Sequence, residues 1–286
     1  MSKLPKLLGS HVCIACFCVA GCFLSAQASA DQLVQFESAA AEPTPFQVRN
    51  AQAKGGTLNT VHGAPLQGYL TEPQGRGPFP AIVLLHGCAG VLSNDRQTWP
   101  ERLSSWGYVV LVVDSFSTRG IHDTCNGLLV DRVYDAYGAL EFLSKYGFVD
   151  SSRIALMGFS AGGIAALEAV QLGGAERLMK RKFKAAIAYY PNCSVANGDM
   201  AVLTLILAGE LDDFSPVKKC RKMMALRSGK GSSVQLDVYQ GARHAFDALE
   251  FKDGIEAYGH RVEYNAAAAE RSESDVRAFL KQALGG

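Results

Sequence analysis

The chain has 286 residues, 48% of them hydrophobic, and a net charge of +1. That size and balance suit one large α/β domain with a substantial core. No basic run or stripe is present to supply phosphate contacts, which argues against a nucleic-acid partner or a strongly charged polymer substrate.

In chain order, the first element reads as a targeting segment. Lys3 and Lys6 precede an apolar stretch from Val12 to Leu24 that is too short for a membrane span. The small residues of AQASA, ending at Ala30, predict a signal peptide over residues 1–30 with cleavage before Asp31. The alternative is a lipoprotein signal ending at residue 21, with Cys22 lipid-anchored, because VAGC also fits a lipobox. Either way the chain is expected to be exported, to the periplasm or the medium. Cys88, Cys125, Cys193 and Cys220 would then sit in an oxidising compartment, where four cysteines allow three disulfide connectivities.

Residues 31–54 read as a polar segment with a first weak strand near 46–49, and residues 55–286 as a single domain. A second weak strand is expected near 66–71. Beyond it, apolar runs at 81–87, 108–114, 153–159, 183–190 and 202–209 read as strands buried on both faces, and VQLDVY (234–239) as a last strand. Helical patterns fall between and after them, at Gln97–Trp106, Asp131–Tyr146, Ala161–Leu172, Pro216–Ser228 and Val262–Leu284. Strand and helix alternating at this spacing imply right-handed crossovers and a mostly parallel sheet covered on both faces. Ligands of such sheets bind at the carboxyl ends of the strands.

Ser160 stands at such an end. Gly158-Phe159-Ser160-Ala161-Gly162 is G-x-S-x-G at a strand-to-helix junction, the context in which this motif lifts a serine hydroxyl above a sheet. A serine hydroxyl needs a base. His244, in GARHAFD after the last strand, lies at the same edge and is the candidate; His11, His62, His122 and His260 fall in the leader or in polar loops, and His86 ends a strand. A carboxylate must orient the imidazole. LAGELDD offers Asp212, with Asp213 as the alternative, in the chain order Ser, Asp, His, while Asp114 reads as a structural anchor. The backbone N–H groups of Ala161 and, in the loop HGCAG, of Cys88 are the expected oxyanion donors. Phe116, Phe159, Tyr189, Phe214 and Phe246 are candidates to line an acyl or alcohol pocket.

HGCAG, VVDSFSTRG, GFSAGG, LAGELDDFSP and YQGARHAFD, in this order over roughly residues 55–284, resemble the dienelactone hydrolase family of the α/β-hydrolase fold. The resemblance implies an α/β-hydrolase fold with a mostly parallel, roughly eight-stranded sheet and helices on both faces. It also implies Ser160, Asp212 and His244 as a catalytic triad, with no metal and no organic cofactor. It further implies that Cys88 pairs with Cys125 and Cys193 with Cys220, since the strands preceding each pair are neighbours in this fold. The chain departs from the founding members, which carry cysteine as nucleophile and hold a substrate carboxylate with two arginines. Arg119 corresponds to the first arginine; after His244 come Ala245, Phe246, Asp247 and Ala248, so the second is absent. Arg119 and Phe159 are the candidate substrate contacts. The expected function is a serine hydrolase cleaving a small ester or lactone. The alternatives are a serine peptidase of the same fold and a non-catalytic envelope binding protein.

Overall fold

The computed structural model describes residues 31–40, 63–127 and 130–285, together with Met1. The expected signal segment, the strand anticipated near 46–49 and His62 lie outside the described residues. Eight strands form one sheet: β1 (Gln32–Glu37), β2 (Pro65–Thr71), β3 (Phe79–Leu85), β4 (Val109–Asp114), β5 (Val149–Phe159), β6 (Ala185–Tyr189), β7 (Leu203–Gly209) and β8 (Val234–Tyr239). Their order is β1-β2-β4-β3-β5-β6-β7-β8, antiparallel at β1–β2 and β2–β4 and parallel from there on. This is the α/β-hydrolase fold.

β3, β4, β6, β7 and the second half of β5 carry near-continuous apolar runs because both faces are covered there. Ala81, Val83 and Leu85 of β3 and Val109, Leu111 and Val113 of β4 point into one core, with Val133, Ala136, Tyr137 and Leu140 of α2 (Arg132–Leu143) and Ala165, Ala166 and Leu167 of α3 (Ala161–Val170). The alternate residues Ile82, Leu84, Val110 and Val112 enter a second core, with Trp99 and Leu103 of α1 (Trp99–Ser105) and Val276, Phe279 and Leu280 of α5 (Ala266–Leu284). The remaining helix, α4 (Val217–Ala225), adds Cys220 and Met223 to the first core. Helix starts are chemically marked: the Asp131 carboxylate accepts from Tyr134 N–H ahead of α2, and Asn265 accepts from Ala268 N–H ahead of α5.

Two features depart from the sequence expectation. The polar segment beginning at residue 31 contributes β1, whose Val34 and Phe36 are buried while Leu33 and Gln35 face outward. Its alternation is short and its outward residues are mixed, so the period-two signal is weak. The helical pattern from Val262 starts later, at Ala266, because β9 (Ile255–Ala257) and β10 (His260–Val262) form a hairpin first. Val262 pairs in parallel with His244, tying this hairpin to the edge that carries the candidate base.

Gly138 in α2 marks where the segment after β1 crosses the helix. A Cβ there would lie 2.2 Å from the Glu37 carbonyl oxygen and 2.7 Å from Ser38 Cα, and Ala39 N–H bonds to Tyr134 O at 2.8 Å. Gly138→Ala is therefore expected to destabilise the protein by about 1–3 kcal/mol through backbone overpacking, although alanine is the better helix former. Denaturant unfolding of the variant beside the parent checks this; an increase in stability would show that the crossing relaxes freely.

Candidate active site

Ser160 follows the last residue of β5 and precedes the first of α3, with φ 51° and ψ −111°. A non-glycine residue rarely adopts this backbone, and the surroundings enforce it. A Cβ on Gly158 would stand 2.1 Å from the Gly162 carbonyl oxygen, and one on Gly162 would stand 2.3 Å from Leu85 O. Only glycine at both positions lets the turn close and lets α3 press against the end of β3. Ser160 N–H donates to Tyr189 O at 2.9 Å, which fixes the turn to β6. The serine side chain is thereby held at the carboxyl edge of the sheet.

His244 and Asp212 meet it there. His244 Nε2 lies 2.9 Å from Ser160 Oγ, and Nδ1 lies 2.8 Å from Asp212 Oδ2. The other Asp212 oxygen accepts from Ser215 N–H at 2.8 Å, so the carboxylate is held on both sides. Asp212 and His244 are both buried. Of the two adjacent aspartates, Asp212 faces the imidazole, whereas Asp213 is exposed and lies 3.4 Å from His260 Nδ1. Phe214 stacks on the His244 ring at 4.8 Å and 20°, and Tyr190 approaches it at 4.7 Å. His122 stays in an exposed loop.

The HGC loop runs beside the serine: a Cβ built on Gly87 would lie 3.8 Å from Ser160 Cβ. His86 is buried, and its Nε2 accepts from Ser115 N–H at 3.3 Å, so the ring proton is on Nδ1 and is donated to Gly87 O at 2.7 Å. Gly87 C=O belongs to the same peptide unit as Cys88 N–H. The relay therefore fixes that peptide plane and polarises its N–H. Arg132 donates to His86 O at 3.0 Å and to Thr124 Oγ1 at 3.2 Å, and Thr124 N–H donates to Cys88 O at 2.8 Å. Cys88 is disulfide-bonded to Cys125, and Cys193 to Cys220. Ala161, as the first residue of α3, has an N–H without a partner inside the helix. Cys88 and Ala161 thus belong to the two segments that flank Ser160, the HGC loop and the start of α3.

A cavity of about 470 Å³ opens at this edge, with Ser160, His244, Phe159, Phe214 and Tyr190 in its wall and the β9–β10 hairpin closing one side through Ile255, Tyr258 and Val262. Phe159, a candidate contact, is in the lining. Arg119 is not. Its Nη1 and Nη2 each donate to Asp135 at 2.7 Å and Nη1 also reaches Ser115 O, so its guanidinium is committed to a buried carboxylate and holds the loop after β4. Phe116 packs its edge against His86 at 4.5 Å, and Tyr189 and Phe246 belong to the core. Asp114 accepts from Gln67, Phe116 and Ser117; burial alone would raise its carboxyl, but these bonds outweigh it and hold it low.

Asp247 is the residue that sequence reasoning missed. It is buried three residues after His244 and accepts from Asn94 Nδ2, Trp99 Nε1 and Tyr190 OH, each at 2.8 Å. Burial raises its carboxyl, and the three donors pull the other way. The bonds lock the histidine loop to the segment leading into α1 and to the residue after β6. The only sequence signal was an aspartate flanked by Phe246 and Ala248, both apolar.

His86 makes the acid stability of this edge predictable. Burial, reinforced by the Arg132 charge, lowers its imidazole from 6.5 to about 4. Between those values the unfolded chain binds a proton that the folded chain does not. The stabilisation is complete above about pH 6.5 and is lost as pH falls toward 4, amounting to about 3 kcal/mol. His86→Asn is expected to flatten this part of the stability profile, measured by denaturant unfolding at a series of pH values; an unchanged slope would place the acid lability elsewhere.

The comparisons with known proteins agree with this architecture. A cutinase of Thermobifida alba is 30% identical over 160 residues, covering 52% of this chain and 48% of the cutinase. A lipase of Moraxella sp. (strain TA144) is 25% identical over 209 residues, covering 69% of this chain and 58% of the lipase. The chain thus spans about half the length of such curated relatives. Among solved structures, a dienelactone hydrolase-like promiscuous phosphotriesterase from metagenomic libraries superposes with a TM-score of 0.62 at 17% identity, over 90% of this chain and 100% of that one. A butyrate-bound esterase from Thermogutta terrifontis gives 0.58 at 18% identity, over 78% and 90%. These structural likenesses speak to the fold. The model of the dienelactone hydrolase family matches residues 66–284, and the chain belongs to that family.

Proposed function

We propose that the protein is an exported serine hydrolase that cleaves a small carboxylic ester or lactone through an acyl-enzyme. The observation that carries this reading is the unbroken hydrogen-bonded series Ser160–His244–Asp212, placed on a backbone turn that exposes the serine. In the first step Ser160 Oγ attacks the substrate carbonyl while His244 Nε2 takes its proton. Asp212 holds the imidazole in the required tautomer and stabilises its charged form. The N–H groups of Cys88 and Ala161 receive the developing oxyanion. His244 then passes the proton to the leaving alkoxide. Water, activated by the same imidazole, attacks the acyl carbonyl; acid is released and the Ser160 hydroxyl is restored.

Family membership and the ester-cleaving names among the relatives support the ester class. The cavity, about 470 Å³ and mostly apolar, suits a small substrate. Export is supported by the Lys3 and Lys6 leader pattern and by two disulfides of a kind that persists in oxidising compartments. No helix among the described residues is long and apolar enough to cross a membrane.

A fluorophosphonate probe followed by mass mapping is expected to label Ser160, and Ser160→Ala and His244→Ala are expected to abolish labelling. Asp212→Asn is expected to lower kcat toward p-nitrophenyl esters on the order of 10³-fold to 10⁴-fold. Folded protein that takes no label and turns over no ester would leave a binding role for the same fold.

A further inference from the structure

One end of the substrate cavity differs from the rest. Where most of the wall is aromatic or aliphatic, this end is made by Asn94, Asp95 and Glu250. Asn94 and Asp95 are only 3% and 4% exposed, and they sit at the start of the helical segment that runs into α1. Asp95 Oδ2 accepts from Leu92 N–H at 3.0 Å, and Glu250 Oε1 accepts from Asn94 N–H at 3.1 Å. The Asn94 amide is oriented by its donation to Asp247, so its oxygen faces away from that carboxylate. Among the described residues no donor reaches the second oxygen of Asp95 or the Asn94 side-chain oxygen. No lysine or arginine among the described residues lines the cavity. Burial, with Asp247 and Glu250 adding to it and the Leu92 bond and the Arg132 charge opposing it, raises the Asp95 carboxyl to about 8, so that near pH 7 it is mostly the neutral acid.

Resting on the ester-hydrolase reading, we propose that Asp95, flanked by Asn94 and Glu250, forms a subsite for a hydrogen-bond-donating substituent of the substrate, a hydroxyl or a protonated amine, and disfavours a carboxylate. The physical ground is complementarity. A buried carboxyl with one free oxygen is satisfied by a hydroxyl, which accepts from the neutral acid and donates to the ionised one, or by an ammonium once ionised, and is left unpaired by a methyl group. A carboxylate on the substrate would meet Asp247 behind the wall and Glu250 beside it with no cation in the lining. This inverts the arginine arrangement associated with the founding family members.

The test uses p-nitrophenyl esters of straight acids of four to eight carbons, ending in methyl, hydroxymethyl, aminomethyl or carboxylate, with acetates of matched alkanols, diols and amino alcohols to probe the alcohol side. In one series the hydroxyl-ended substrate is expected to exceed its methyl counterpart roughly threefold to tenfold in kcat/KM, and the carboxylate to fall below the methyl. A larger gain for the amine than for the hydroxyl would identify the cationic form of the donor. Asp95→Leu is expected to bring the hydroxyl-to-methyl ratio to about one. Asp95→Asn, which retains an acceptor, is expected to keep the hydroxyl preference and lose any amine preference; it also serves where the leucine variant does not fold. Ser160-dependent turnover with equal rates for methyl and hydroxyl ends in both series would overturn the subsite while leaving the hydrolase reading intact. Absence of Ser160-dependent turnover would overturn both.

Discussion

Ser160 is held at φ 51° by backbone packing, and the remainder of the site is arranged around that constraint. A residue in so sparsely populated a region costs on the order of 1–3 kcal/mol, and it persists only where its surroundings leave no alternative. Here the alternatives are removed by contact of α3 with its neighbours. The glycines at 158 and 162 allow the helix to sit against the carbonyls at the end of β3, and the next residues of that strand are His86 and Gly87. The same packing therefore sets the position of the serine hydroxyl and its spacing from the HGC loop.

The histidine reaches the same place by a different means. It sits in a loop after β8, which by itself would have many conformations. Asp247 converts that loop into a fixed element by collecting three donors from two distant parts of the chain. The arrangement also carries an electrostatic consequence. The donors to Asp247 are all neutral, and burial raises its carboxyl. Asp247 in turn adds to the upward shift of the Asp95 carboxyl in the cavity wall.

The two disulfides lie on either side of the strand that leads into Ser160. Cys88–Cys125 ties the HGC loop to the segment after β4, and Cys193–Cys220 ties the loop after β6 to α4. Neither restrains a strand. The first joins two loops that line the cavity, whereas the second lies within the hydrophobic core, where both of its cysteines are buried.

Much of this was legible in the chain itself. The buried strands announced themselves as continuous apolar runs, and the G-x-S-x-G turn was specific because it fell between such a run and a helical pattern. Chain order and position then restricted the candidate base to His244 and the candidate carboxylate to one of two neighbours. These are local signals: the period of hydrophobicity, glycine where no Cβ fits, and a polar residue at a strand end. What stayed hidden depends on distant partners. Asp212 and Asp213 have the same chemistry and adjacent positions, and only the turn after β7 decides which one meets the imidazole. Arg119 matched a ligand-holding pattern, yet Asp135, sixteen residues away, takes its guanidinium. Asp247 and Asp95 gained their roles from burial, which gives a carboxyl its partners and its charge state and which is a property of the packed molecule. The sequence determined the fold and the candidate nucleophile and base, because short-range pattern suffices for them, whereas the tertiary structure alone decided the partners of the buried charges.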